Sequence, residues 1–288
     1  MGRYKKILVA VDGSATSLHA FKEALRLDTS WPVVVSVAPP FEPFGGDVQL
    51  VKGQDIQSML SAPCQLALGK AEDLARKPAV SIKTVCAVGE AHERIVELAQ
   101  DEHCDLIVMG PKGHGVIEMA LMGSVTRRVI GYSPVDVLVI PDKASLGWEK
   151  LLLATDGSGF SWQAAQKALN LAETYGSEII VASIADIPPV LYAEAAEVVE
   201  SVRREHQGYV SEVTAEAEKL NLKAAGFIPQ GAPAKAITDL ARQEKASLII
   251  MGSHGRTGLK RLLMGSVTER VIGQAPCPVL VVKGGAER

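Results

Sequence analysis

The sequence predicts an α/β protein built from two tandem, doubly wound parallel-sheet domains of five strands each. Three observations lead there. Short runs of Val, Ile and Leu alternate with amphipathic helical stretches, as strands buried on both faces require. The two halves of the 288-residue chain repeat each other: Gly89 and Gly231, Gly110 and Gly252, and Pro134 and Pro276 each lie 142 residues apart. Between 121–139 and 263–281, 14 of 19 positions are identical. So long a period denotes two copies of a whole domain, 1–141 and 150–288, rather than a solenoid of short units.

The elements follow in order, most clearly in the second half. LLLAT is a short buried strand, and SWQAAQKALNLAETYG is a helix with Trp162, Ala165, Leu169 and Ala172 on one face and Gly176 as its C-terminal cap. EIIVASI is the second strand, and 191–220 is a long Ala/Glu/Val-rich helix. KAAGFIPQ is a weaker third strand; Pro233 then opens a helix that buries Ala236, Ile237, Leu240 and Ala241. SLIIM, SVTERVIGQA and PVLVV complete the half as strand, helix and strand. The first half repeats this scheme, with a first connection three residues shorter and a long helix interrupted by Pro63. Residues 141–150 form a linker short enough to hold the halves together.

Composition excludes several classes. With 47% hydrophobic and 22% charged residues and a net charge of −3, nothing draws the chain toward nucleic acid or anionic membrane. No apolar run reaches the ~20 residues of a membrane span, and MGRYKKILVAVDGS reads as a first strand rather than a signal peptide. Cys64, Cys86, Cys104 and Cys277 form no C-x-x-C pair or zinc spacing, so reduced, mostly buried thiols and a cytoplasmic location are expected. His103-Cys104 lacks a second half, and no metal site is expected.

The chemistry concentrates where apolar strands end in glycine. Residues 248–272 read LIIMGSHGRTGLKRLLMGSVTERVI, and 106–130 read LIVMGPKGHGVIEMALMGSVTRRVI. Gly252, Gly255 and Gly265 let backbone approach a ligand closely, and Ser266, Val267 and Thr268 open a helix whose first N–H groups lack partners. The helix dipole adds positive potential there, and the Ser266 and Thr268 hydroxyls are further donors. Arg256, Lys260 and Arg261 add charge that suits a polyphosphate. The plain alternative is that the glycines only make turns, and that Ser266, Asp156 and Asp12 only cap helices. His254 lies in the same loop, as a solvated side chain or a phosphate neighbour.

G-x-x-G, nine residues, then G-S, behind a first strand ending in D-G-S, strongly resembles the universal stress protein family. The resemblance covers both halves, as in tandem-domain members. It implies an adenine-nucleotide alpha-hydrolase-like fold with strand order 3-2-1-4-5 in each half. It implies ATP on Gly252, Gly255, Arg256, Gly265, Ser266, Val267 and Thr268, with Asp156 at the nucleoside end and the backbone of Ile184 reading adenine. Mg²⁺ would bridge the phosphates. A second, weaker nucleotide site would use Asp12, Val37, Gly110, Gly113, Gly123, Ser124, Val125 and Thr126. It is expected to be weaker because Pro111 removes an N–H, and because His114, Glu118 and Met119 replace the three cations. Its adenine platform should begin near Trp31-Pro32. The resemblance also implies antiparallel pairing of 137–140 with 279–282 as an intramolecular pseudo-dimer, and the helix at 191–220 could support a homodimer.

No G-x-S-x-G elbow, P-loop, G-x-G-x-x-G or S-G-G-x-D-S turn is present. No catalytic residue stands out, and a stress-response protein that reads ATP occupancy is expected. A slow ATPase or nucleotide hydrolase of the same superfamily is the alternative, which would need a positioned base or paired carboxylates beside the phosphates. A scaffold with vestigial sites suits the first half better than the second.

Overall fold

The computed structural model describes residues 3–29, 31–40, 53–113, 122–256 and 264–284. In the first half, β1 (Ile7–Ala10), β2 (Val33–Ala38), β3 (Lys83–Val88), β4 (Leu106–Met109) and β5 (Asp136–Val139) alternate with α1 (Ala15–Ala24), α2 (Gly53–Arg76), α3 (Ala91–Asp101) and α4 (Ser124–Tyr132). In the second, the strands are β6 (Lys150–Ala154), β7 (Glu178–Ala182), β8 (Ala224–Phe227), β9 (Leu248–Gly252) and β10 (Val279–Val282). Their helices are α5 (Gly159–Tyr175), α6 (Pro189–Glu194), α7 (Ala196–Lys219), α8 (Pro233–Gln243) and α9 (Ser266–Gln274).

Each half has the order 3-2-1-4-5, but the two sheets are not separate. They join in one ten-stranded sheet, β3-β2-β1-β4-β5-β10-β9-β6-β7-β8. All pairings are parallel except β5 with β10, where Val137, Leu138 and Val139 face Val281, Leu280 and Val279. Leu138 is therefore paired with Leu280, its own counterpart 142 residues on. A pseudo-twofold axis passes through that pair. The join also removes two apolar edges that would otherwise stand open.

Alternation along each strand sends side chains to two cores, one per face, each continuous across the seam. One holds Val9, Val34, Leu138, Leu151, Ile250 and Leu280 under α1, α2, α5 and α7. The other holds Leu8, Val35, Val137, Leu152, Ile249 and Val281 under α3, α4, α8 and α9. The linker is packed as well: Leu146 N–H donates to Glu23 Oε2 at 2.9 Å, and Trp148 stacks on Tyr175 at 4.2 Å.

Four expectations are corrected. Pro63 does not interrupt its helix, for α2 runs through it. A proline forfeits one backbone bond, here to Met59, which lies on the exposed side of the helix at 73% exposure. The stretch at 191–220 is two helices, divided at Ala195, whose φ of −145° and ψ of 58° leave the helical region. Cys64 on α2 and Cys86 on β3 are joined as a disulfide, with Cα atoms 6.0 Å apart; only Cys104 and Cys277 are free. Burial pushes those two thiols up, to about 11 and about 12. Trp31 precedes β2, so it lies at the end of the sheet opposite the strands' carboxyl ends and cannot start an adenine platform. Among the described residues, no helix is long and apolar enough to cross a membrane.

Candidate nucleotide site

At the carboxyl ends of β6 and β9, where the strand order reverses, the second half opens into a crevice of about 410 Å³. Asp156, Ile184, Gly252, Gly255, Arg256, Gly265, Ser266, Val267 and Thr268 all line it. The first half has a smaller cavity of about 170 Å³, lined by Asp12, Val37, Gly110, Gly113, Gly123, Ser124, Val125 and Thr126. Both predicted residue sets are thus brought together. Lys260, Arg261, His114, Glu118 and Met119 lie outside the described residues.

The three glycines have different physical reasons. A Cβ on Gly252 would stand 2.9 Å from the Phe160 carbonyl carbon, so this glycine lets α5 pack onto β9. A Cβ on Gly255 would stand 2.6 Å from Asp156 Oδ2, so it makes room for that carboxylate. Gly265 has an ordinary φ of −65°, and among the described residues the nearest atoms to an added Cβ would be Ser253 O at 3.4 Å, His254 Cα at 3.5 Å and Thr268 Oγ1 at 3.7 Å, ordinary contacts. Among the described residues, therefore, nothing excludes a side chain at Gly265. Being glycine, it also supplies no side-chain cap to α9. The N–H groups of Ser266, Val267 and Thr268 precede the first intrahelical bond, made by Glu269 N–H to Gly265 O at 3.1 Å. They present an uncapped positive helix end to the crevice. Gly123 repeats this at α4, with φ −72° and no cap.

Asp156 is not a helix cap. Ser158 caps α5, accepting from Ser161 N–H at 3.2 Å. Asp156 Oδ1 accepts Ser158 N–H at 3.1 Å and its Oδ2 accepts Arg256 N–H at 2.9 Å, so the carboxylate ties the β6 loop to the glycine loop across the crevice. Asp12 is likewise not the cap of α1, a role taken by Ser14. The Thr268 hydroxyl is also committed: buried, it donates to Gly252 O at 3.1 Å, as Thr126 does to Gly110 O at 3.0 Å. These hydroxyls pin each helix start to its strand end and are not ligand donors, contrary to the expectation for Thr268. Ser266 is exposed at the mouth.

At the other end of the crevice, Ser183 N–H and Ala185 N–H donate to Phe227 O and Pro229 O. Alternation then turns the Ile184 N–H and C=O the opposite way, and among the described residues neither has a backbone partner. One donor and one acceptor stand side by side on a strand end, among the apolar Val202, Pro233 and Ile237.

Sequence reasoning missed the wall supplied by α7. His206 lines the crevice and shares a 2.7 Å hydrogen bond between its Nδ1 and Ser183 Oγ. Burial lowers its pKa, so the ring is neutral at pH 7. Arg256, expected to face phosphate, pairs with Glu205 at 2.8 Å. The Tyr209 hydroxyl, with Arg256 beside it, holds the Glu205 carboxyl below its usual range. The only signal for these contacts was a cluster of polar residues on one turn of a long amphipathic helix. Also missed were Asp186 and, in the first half, Lys112, which lines the cavity at the position of His254 and returns one positive charge there. His254 stands against Phe160, ring centroids 5.3 Å apart.

Comparison with known proteins agrees with the repeat. A model described as the universal stress protein family matches residues 3–141 and 147–283. A universal stress protein of Methanocaldococcus jannaschii is 41% identical over 140 residues, 47% of this chain and 82% of that protein. Another, of Mycolicibacterium smegmatis, is 25% identical over 297 residues, 96% of both chains. The crystal structure of a universal stress protein from Archaeoglobus fulgidus has the same fold, with a TM-score of 0.73 at 20% identity over 98% of this chain and 97% of that one.

Proposed function

The chain belongs to the universal stress protein family, and from the geometry of its second-half crevice we propose that it binds ATP there and serves stress response through occupancy rather than catalysis. One observation carries the reading. Among the described residues nothing gives Gly265 a steric or conformational reason to be glycine, yet it stands at an uncapped helix start in a crevice of ligand size. A phosphate held on the N–H groups of Ser266, Val267 and Thr268 supplies the reason. The Ile184 N–H and C=O match the acceptor and donor on the edge of adenine. The apolar wall between them suits a purine face.

A regulatory role fits the acids available. Both oxygens of Asp156 already accept backbone N–H groups, and Asp186 lies two residues beyond Ile184, at the base end. Among the described lining residues no carboxylate pair stands beside the phosphates. Mg²⁺ would be held by phosphate and water, with Asp156 already engaged. The first-half cavity is proposed as a weaker nucleotide site, because Pro111 has no N–H to offer.

The test is to denature the purified protein and separate any released nucleotide by chromatography. ATP is expected. ADP alone would favour hydrolysis, and no nucleotide, together with no ATP uptake in a titration, would refute the reading.

A further inference from the structure

Helix α7 is the third wall of the second-half crevice, and near the ligand loops it is attached by polar contacts. Between its buried Val199 and Val210 it presents Glu205, His206 and Tyr209. His206 holds Ser183 at the end of β7. The Tyr209 ring fills the space left by the missing side chain of Gly157, in the β6 loop. Tyr209 donates its hydroxyl to Glu205 Oε1 at 2.5 Å, and the same oxygen accepts from Arg256 Nη2 at 2.8 Å, in the glycine loop. The Arg256 guanidinium carbon lies 5.8 Å from the centre of the Tyr209 ring. One and a half turns of helix thus grip three separate ligand-bearing elements.

The first half lacks this device. The positions 142 residues earlier are Pro63, Cys64 and Ala67, and Cys64 is bonded to Cys86 instead. The grip is a property of the crevice that has the uncapped α9 and an arginine in its loop.

A guanidinium presents a planar fork of donors that carboxylate and phosphate occupy in the same way. Arg256 lines the crevice and is anchored there by its own N–H on Asp156, so a polyphosphate on α9 comes within its range. The tail attracts the guanidinium and repels the Glu205 carboxylate, and both effects act against the Glu205–Arg256 pair. We propose that this pair is a latch read by the nucleotide: a phosphate tail takes Arg256 from Glu205 and frees the Glu205–Tyr209 turn of α7 from the site. The proposal rests on the ATP reading above and says how occupancy becomes a change of surface. The pair is half exposed, so its strength is modest.

The experiment compares the full-length protein with Glu205→Gln, which keeps shape and removes charge. ATP and adenosine are titrated by calorimetry, and amide hydrogen exchange is followed along 196–219. In the natural protein ATP should raise exchange around 203–212, and adenosine, having no phosphates, should not. Glu205→Gln should bind ATP more tightly by a factor of about 1.4 to 5, the ratio expected when a modest exposed pair no longer competes. It should bind adenosine unchanged, and its α7 should exchange faster before any ligand is added. If the natural protein binds ATP but Glu205→Gln binds it equally or less well, or α7 ignores ATP, the latch is wrong and the site stands. If the natural protein binds no ATP, the reading of the site itself has failed.

Discussion

Arg127 on α4 and Glu269 on α9 occupy the same position of the repeat, 142 residues apart, and are bonded to each other across the seam. Each is the fourth residue of a helix whose start faces a cavity. With Leu138 paired to Leu280, the pseudo-twofold axis brings this position against its own counterpart. Two identical halves would set like charges together there. Duplication within one chain allows one arginine and one glutamate, which favours pairing of unlike halves and links the two anion-facing helices.

Arg127→Glu should therefore destabilise the protein by about 0.3–1 kcal/mol, the scale of a partly exposed pair turned repulsive. Adding Glu269→Arg should restore most of the loss. The helix-dipole contributions, favourable for Glu and unfavourable for Arg in a first turn, change places and cancel. A denaturation double-mutant cycle with no coupling energy would show the pair to be energetically idle.

Gly265 and Gly255 should separate folding from binding. Gly265→Ala meets no described atom closer than 3.4 Å and should cost at most ~1 kcal/mol of stability, while weakening ATP at least ~10-fold by intruding on the phosphate. Gly255→Ala pushes on Asp156 Oδ2 from 2.6 Å and threatens its bond from Arg256 N–H, so both stability, by about 1–2 kcal/mol, and binding should fall. Thermal unfolding beside ATP titration checks both; a Gly265→Ala protein with undiminished affinity places the phosphate elsewhere.

These cases also mark what was legible beforehand. The repeat, the alternation of strand and helix and the glycines at each strand end follow from residue types at fixed spacings, because a strand end and a helix start are local structures, whereas the strand order and the joining of Asp156 to Gly252, Gly255 and Gly265 were implied by the family resemblance. The individual reasons were not legible. Gly255 serves Asp156, and Thr268 serves Gly252, because contacts across the crevice depend on tertiary placement. The α7 contacts join residues about 50 positions apart in the chain, Glu205 and Arg256, and neither carries a local signature of the other. The Cys64–Cys86 bond was hidden for the same reason, with a helix end and a turn between its partners.

That disulfide predicts a thiol count. Unfolded without reductant, the protein should expose two titratable thiols, Cys104 and Cys277, and after reduction four. Reduction should lower stability by about 2–4 kcal/mol through the freed chain between α2 and β3. Four thiols without reductant would mean that the bond does not form in the purified protein.

Lys283 predicts a rise of stability with pH. Its Nζ donates to Ile130 O at 2.6 Å, at the end of α4, and its backbone N–H donates to Asp136 Oδ1 at 2.9 Å. Asp136, itself buried, also accepts from Tyr4 at 2.8 Å and pairs with Lys167 at 3.0 Å, so both halves meet at this cluster. Burial lowers the Lys283 ammonium to about 8, with Asp136 opposing the shift more weakly. Below that pH, native and unfolded chains both hold the proton, and the native state bears the full cost of a buried charge. Between about 8 and the unperturbed lysine value the unfolded chain binds a proton that the native chain has released. Stability from this group therefore rises through that window, by at most ~1.4 kcal/mol per pH unit. Urea midpoints at about pH 7.5 and 9.5 should climb for the natural protein relative to Lys283→Met, which has no proton to lose. Equal slopes for the two proteins would show that Lys283 titrates as an ordinary surface lysine.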